Sequence, residues 1–167
     1  APDLVIVQIP LVNMLSEGGA TKASIVASVH DTIWGDRTDH TNTYALNAQS
    51  SNRTNFECIV VIPHHSRAHF ASNGTWAEVF TDVTARDVYN AVRALIHSKN
   101  DVGLIDIASA MQREIDKDAR YLGQYYTGLT GTGVTGASYT DDGVHQNDKG
   151  TQIYAKHICP VLDCNTV

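Results

Sequence analysis

The feature that most narrows the fold of this chain is a set of three short, nearly continuous apolar runs. They are Leu4-Val5-Ile6-Val7-Gln8-Ile9, Cys58-Ile59-Val60-Val61-Ile62 and Val102-Gly103-Leu104-Ile105-Asp106-Ile107. β-Branched side chains dominate them, and they do not alternate between apolar and polar residues. A strand with one wet face alternates; a run that does not is a strand buried on both faces, as in a parallel sheet covered by helices. Between the second and third runs, Val88, Val92, Leu95 and Ile96 mark an amphipathic helix, opened by Thr84 with Asp87 and stopped by Asn100. A weaker helix between the first two runs uses Ile25, Val26, Val29 and Ile33 and ends at Gly35. A last helix runs from Asp148 to Ile158 and stops before Pro160. Strands alternating with helices predict an α/β fold, a three-layer sandwich with a parallel, flavodoxin-like sheet.

The 167 residues suit one domain, 1–167, large enough to bury a core without staples. Three strands are few, however, for a doubly wound sheet, which usually has five or six. The first run begins at residue 4, and as a sheet edge it would expose unpaired backbone groups beside strongly apolar side chains. A neighbouring strand from outside this sequence is therefore expected, and the sheet is expected to be incomplete without it. Twelve Lys and Arg face 18 Asp and Glu, a net charge of −6, which argues against nucleic acid and against an anionic membrane as partner. No apolar run approaches the roughly 18 residues needed to cross a bilayer. Ala1-Pro2-Asp3 lacks the basic start of a signal peptide, so a leader is expected to have been removed or the segment to come from a longer chain.

Of three cysteines, Cys58 is expected as a buried thiol. Cys159 and Cys164 either pair, if the compartment oxidises, or stay reduced; geometry decides. Asn52-Arg53-Thr54 and Asn73-Gly74-Thr75 are glycosylation acceptors that fit a secreted or surface-exposed protein, although such triplets also arise by chance. Two irregular stretches remain, 36–55 and the Gly- and Thr-rich 126–141. Long loops often carry function, though a surface insertion explains the first equally well.

The strongest chemical signal is Asp141-Asp142-Gly143-Val144-His145-Gln146-Asn147-Asp148-Lys149-Gly150. An Asp and a His three residues apart, in the loop before a helix, can face each other. The carboxylate then accepts the Nδ1 proton and leaves Nε2 as a general base. A simple capping loop accounts for the same letters. The segment resembles the last block of the SGNH (GDSL-type) hydrolases, D-G-x-H-P-N-x-x-G, with Gln146 in place of the proline. The likeness extends along the chain: Leu4 to Asn13 resembles the strand leading into the Gly-x-Asn-Asp block, and Phe56 to Pro63 the next strand. Asp82 to Asn100 resembles the following helix, and Val102 to Met111 the strand that reads V-x-D-x-x-x-x-M. In the Gly-x-Asn-Asp block Leu11 replaces glycine and Met14 replaces aspartate, while Asn13 remains.

The resemblance implies ester hydrolysis, of acyl or acetyl esters commonly on carbohydrates, with no cofactor. It implies His145 as base, Asp142 as its orienting acid and Asn13 as an oxyanion-hole donor, although Asn13 also fits a strand end that caps a turn. The family's Gly-Asp-Ser nucleophile block is missing. The single Gly-Asp pair, Gly35-Asp36, is followed by Arg37. The serine is then expected on a complementing amino-terminal piece, removed or retained as a separate polypeptide, or on another chain, or it has been lost. In the last case the chain is a silent carbohydrate-binding or structural module on a cell or virion surface.

The remaining histidines widen the choice. His64 and His65 follow the second strand through Pro63, at the sheet end where open α/β folds bind ligands, and are candidate substrate contacts. His65-x-x-x-His69 has the spacing of two metal ligands on a helix face, but no carboxylate or cysteine accompanies it at the usual spacing, so no metal is assigned. Trp34, Trp76 and the Tyr121, Tyr125, Tyr126 cluster suit stacking on sugar rings, or plain core and rim packing.

Overall fold

The computed structural model describes residues 4–16, 18–34, 57–71, 75–100, 102–117 and 145–162. Each apolar run supplies a strand: β1 (Leu4–Gln8), β2 (Glu57–Ile62) and, after a short hairpin, β5 (Gly103–Asp106). They form a parallel sheet in the order β1-β2-β5, with Leu4 opposite Glu57 and Ile59 opposite Gly103. A Cβ at Gly103 would meet Ile59 Cγ1 at 3.3 Å, a tight contact where β5 enters the sheet. The protein is thus mixed α/β with an open parallel sheet.

This strand order advances in one direction, so right-handed crossovers place both connecting helices on the same face. Helices α2 (Lys22–Trp34) and α3 (Ala85–His97) accordingly pack on each other. Ile25, Val29 and Ile33 of α2 and Val88, Val92 and Ile96 of α3 share one core cluster with Cys58, Val60 and Ile62 of β2. The intervening residues of β2, Ile59 and Val61, belong to a second cluster with Ile105, Ile107 and Tyr154. Residues 58–62 are therefore all buried, which is why the run does not alternate. Each such aliphatic side chain contributes about 1.5–3 kcal/mol.

The second cluster is covered by α5 (Asp148–Leu162), through Ile153, Tyr154 and Ile158. This helix continues through Pro160 rather than ending before it. In the final turn a proline forfeits a single hydrogen bond, a smaller penalty than in a helix interior. The third run also ends differently from expectation. Asp106 Oδ1 accepts the Ser109 N–H at 2.7 Å, capping a helix, α4 (Ile107–Lys117), that the sequence pattern did not suggest. A second short helix, α1 (Leu11–Ser16), follows β1, so Asn13 lies on a helix and not at a strand end. It holds because Leu11 and Leu15, four residues apart, are both buried.

The start of α3 agrees with its sequence signature. Thr84 accepts the Asp87 N–H, and the Asp87 carboxylate accepts from both the Thr84 N–H (2.9 Å) and hydroxyl (2.7 Å). The hairpin before it, β3 (Glu78–Phe80) and β4 (Val83–Thr84), turns at Asp82, whose φ of 56° is left-handed, a conformation that Asp tolerates.

Among the described residues, β1 and β5 each pair only with β2. The β1 edge carries Ile6, an exposed large hydrophobe, and no charged residue.

Candidate functional site

Open α/β sheets gather ligands beyond the carboxyl ends of their strands. In this sheet β1 leads there into Pro10 and α1, and β2 into Pro63-His64-His65-Ser66. Helix α5 packs against the sheet. Its Tyr154 meets His64 just past β2, Ile158 reaches the cluster that contains Leu4 at the amino end of β1, and Val161 shares a cleft with Leu104. From Asp148 to Tyr154 the helix spans ~9 Å. His145, exposed, sits in the segment that enters this helix. Asn13, also exposed, sits on α1, which follows the carboxyl end of β1. Asp142 lies outside the described residues, as do Asn52, Asn73, the Tyr121, Tyr125, Tyr126 cluster and Cys164. Cys159 is half-buried on α5, and Cys58 is buried as expected.

The two adjacent histidines reach the expected end of the sheet but turn inward. The Tyr154 oxygen accepts the His64 N–H at 3.1 Å and stands 2.7 Å from His64 Nδ1. Tyr89 donates its hydroxyl to the His64 carbonyl at 3.1 Å. Burial pushes the Tyr154 phenol up to about 12, against the opposing pull of the His64 N–H. His65 has no exposed surface at all, and so no face to offer a ligand in this conformation. Its ring is enclosed by Tyr89 (centroids 4.1 Å), Trp76 (4.8 Å), His69 (5.9 Å) and Phe70 (6.0 Å). Both of its ring nitrogens lack a hydrogen-bond partner among the described residues.

Ser66 caps the 3₁₀ turn Arg67–His69, and His69 Nδ1 accepts the Ser66 N–H at 3.2 Å. This leaves the His69 proton on Nε2. Burial is the chief cause that holds His65 well below the ordinary imidazole range, with His69 next. Burial likewise lowers His69 to about 4, with His64 adding to it. Among the described residues no group of three or more His, Cys, Asp or Glu is placed to hold a metal. Trp34 and Trp76 are half-buried against the core rather than standing clear as flat platforms.

No family model matches this sequence, and no curated protein or solved structure is significantly similar to it. The site therefore rests on its own geometry. Tyr89 and Tyr154, which anchor the loop after β2, were missed as site residues. Tyr89 lies three residues before Val92 and seven before Ile96, in a buried helical stripe, and Tyr154 lies four before the partly buried Ile158, so both fall on core-facing stripes that periodicity makes visible.

Proposed function

We propose that this chain is the carboxyl-terminal portion of an SGNH-type ester hydrolase, a three-layer α/β sandwich whose nucleophilic serine is carried by a complementing amino-terminal piece. The observation that supports this best is His145, exposed in the segment that enters α5, the helix whose Tyr154 meets His64 just past the carboxyl end of β2. Asn13 sits on α1, which follows the carboxyl end of β1. The β1 edge, which among the described residues pairs only with β2 and leaves Ile6 uncovered, offers the complementing strand a place to add.

In this reading the serine Oγ attacks the ester carbonyl while His145 removes its proton. Asp142 orients the imidazole and stabilises the imidazolium. The Asn13 amide donates to the oxyanion, an interaction worth a few kcal/mol. Collapse of the intermediate expels the alkoxide, which takes the proton back from His145, and water then releases the acid by the same cycle. The substrate class is an acyl or acetyl ester on a carbohydrate, and the two glycosylation acceptors support work outside the cell or on a surface.

Fluorophosphonate labelling of the native material, followed by intact mass of every polypeptide, tests the reading. A label on a second polypeptide bearing Gly-Asp-Ser, together with a fall of about 10³-fold or more in kcat/KM for an acetyl ester in His145→Ala, is the expected result. A label on a serine of this chain overturns the two-piece arrangement. No label, with glycan affinity retained, replaces the hydrolase by a silent binding module.

A further inference from the structure

The β5 edge of the sheet, where among the described residues β5 pairs only with β2, is the floor of a different site. Along β5, Leu104 and Ile105 line a cleft of about 510 Å³. Helix α3 forms one wall with Arg93 and His97, one turn apart; α4 and α5 form the other with Ser109, Arg113 and His157. Asp106 is the only carboxylate among the described lining residues. In a chain of net charge −6, two arginines and two histidines against one aspartate reverse the local balance.

The cations have different duties. Arg93 is engaged: its Nε donates to Asp106 Oδ2, its Nη2 faces Asp106 Oδ1 at 3.5 Å, and its Nη1 donates to Asn90 Oδ1 at 2.6 Å. Asp106 also takes the Ser109 N–H. Burial pushes the Asp106 carboxyl up, but the hydrogen bonds from Arg93 and Ser109 outweigh it and hold the group ionised below the usual carboxylate range. The pair is thus a closed, neutral brace that fixes one end of the cleft. Arg113 is exposed and has no hydrogen-bond or ion-pair partner among the described residues. His97 and His157 add ring N–H donors even when neutral.

We propose that the β5 cleft binds a small anionic group, a carboxylate or a phosphate, on the Arg113 guanidinium with donors from His97, His157 and the Ser109 hydroxyl. A guanidinium presents a planar fork that matches both kinds of oxyanion in two parallel hydrogen bonds. The apolar floor at Leu104 and Ile105 and the side chain of Val161 suit an organic body behind the charged head. The site is separate from ester hydrolysis, since His145 does not line it.

The test is NMR of the histidine ring protons in the full chain, titrated with inorganic phosphate and, in parallel, sodium acetate, at constant ionic strength. Saturable shifts confined to His97 and His157, weakened about tenfold or more in Arg113→Gln and unchanged in Lys22→Gln, are expected. Saturation by phosphate alone identifies a phosphate site, and saturation by acetate identifies a carboxylate site. Shifts that never saturate, that survive Arg113→Gln, or that fall equally in Lys22→Gln overturn the proposal, because they would reflect general screening rather than a built site.

Discussion

A neutral imidazole can lie buried at modest cost, whereas an imidazolium cannot. His65 and His69 are both enclosed, and both have folded-state affinities for protons well below that of an exposed histidine. The unfolded chain then binds more protons than the folded one as the pH falls below about 6.5, so stability is complete above that value and drains away beneath it. For His69 the window runs from about 6.5 down to about 4. For His65 it opens at the same place and runs downward, since burial lowers that group as well. Each group costs roughly 1 kcal/mol per pH unit inside its window. Urea unfolding followed by tryptophan fluorescence is expected to show a steep loss of stability between pH 6.5 and pH 4. His65→Leu, of similar volume and without polar atoms, should flatten that slope while changing stability at pH 7.5 by less than about 1.5 kcal/mol. An unchanged slope in the variant would mean that other groups carry the acid sensitivity. Reading the chain alone, His64 and His65 looked like substrate contacts because strand polarity is visible in a sequence. The inward turn of the two rings was hidden, because it depends on Tyr89 and Tyr154, which lie 25 and 90 residues from His64.

At the scale of elements, the parts that could be read were those whose signals are local. The Thr84 and Asp87 box is one, and it is also a quantitative prediction. Thr84→Ala should destabilise the protein by about 1 kcal/mol and lower Tm by about 2–4 °C, because it removes the acceptor for the Asp87 N–H. The Thr84 hydroxyl and backbone hold the Asp87 carboxyl below its usual range, so the box is intact above the ordinary carboxylate range and loosens in strong acid. Calorimetry of Thr84→Ala beside wild type checks the figure, and an unchanged Tm would mean that α3 is held by packing alone. The helices α1 and α4 went unseen for a shared reason. Each follows a strand almost at once and begins with an apolar residue, Leu11 or Ile107, that reads as more of the preceding strand. For α4 the decisive residue is Asp106, which ends β5 as a strand residue and caps the helix as an acceptor. The hairpin Glu78–Thr84 is too short to carry periodicity.

For the whole molecule, the parallel sheet and the burial of β2 on both faces followed from hydrophobic pattern. Among the described residues β1 stands at an edge, and an apolar strand calls for a neighbour without describing it. An uncharged, apolar edge is a template for another chain. Ile6→Lys should reduce concentration-dependent association in light scattering and leave unfolding free energy within about 0.5 kcal/mol, as for an exposed position. Equal association in both proteins would move the contact elsewhere. The two faces of the sheet are also unequal. One bears the broad cluster shared with α2 and α3, and the other is covered by α5 through Ile153, Tyr154 and Ile158. Opening free energies vary across a structure, and a segment pinned by few apolar contacts opens first. Amide hydrogens of α5 should therefore exchange with deuterium well before those of β2 and α3, through a partial opening that leaves the sheet intact. His145 stands at the root of that helix, so the geometry of its imidazole would be restored each time α5 docks again, with Tyr154 returning to His64 as the latch.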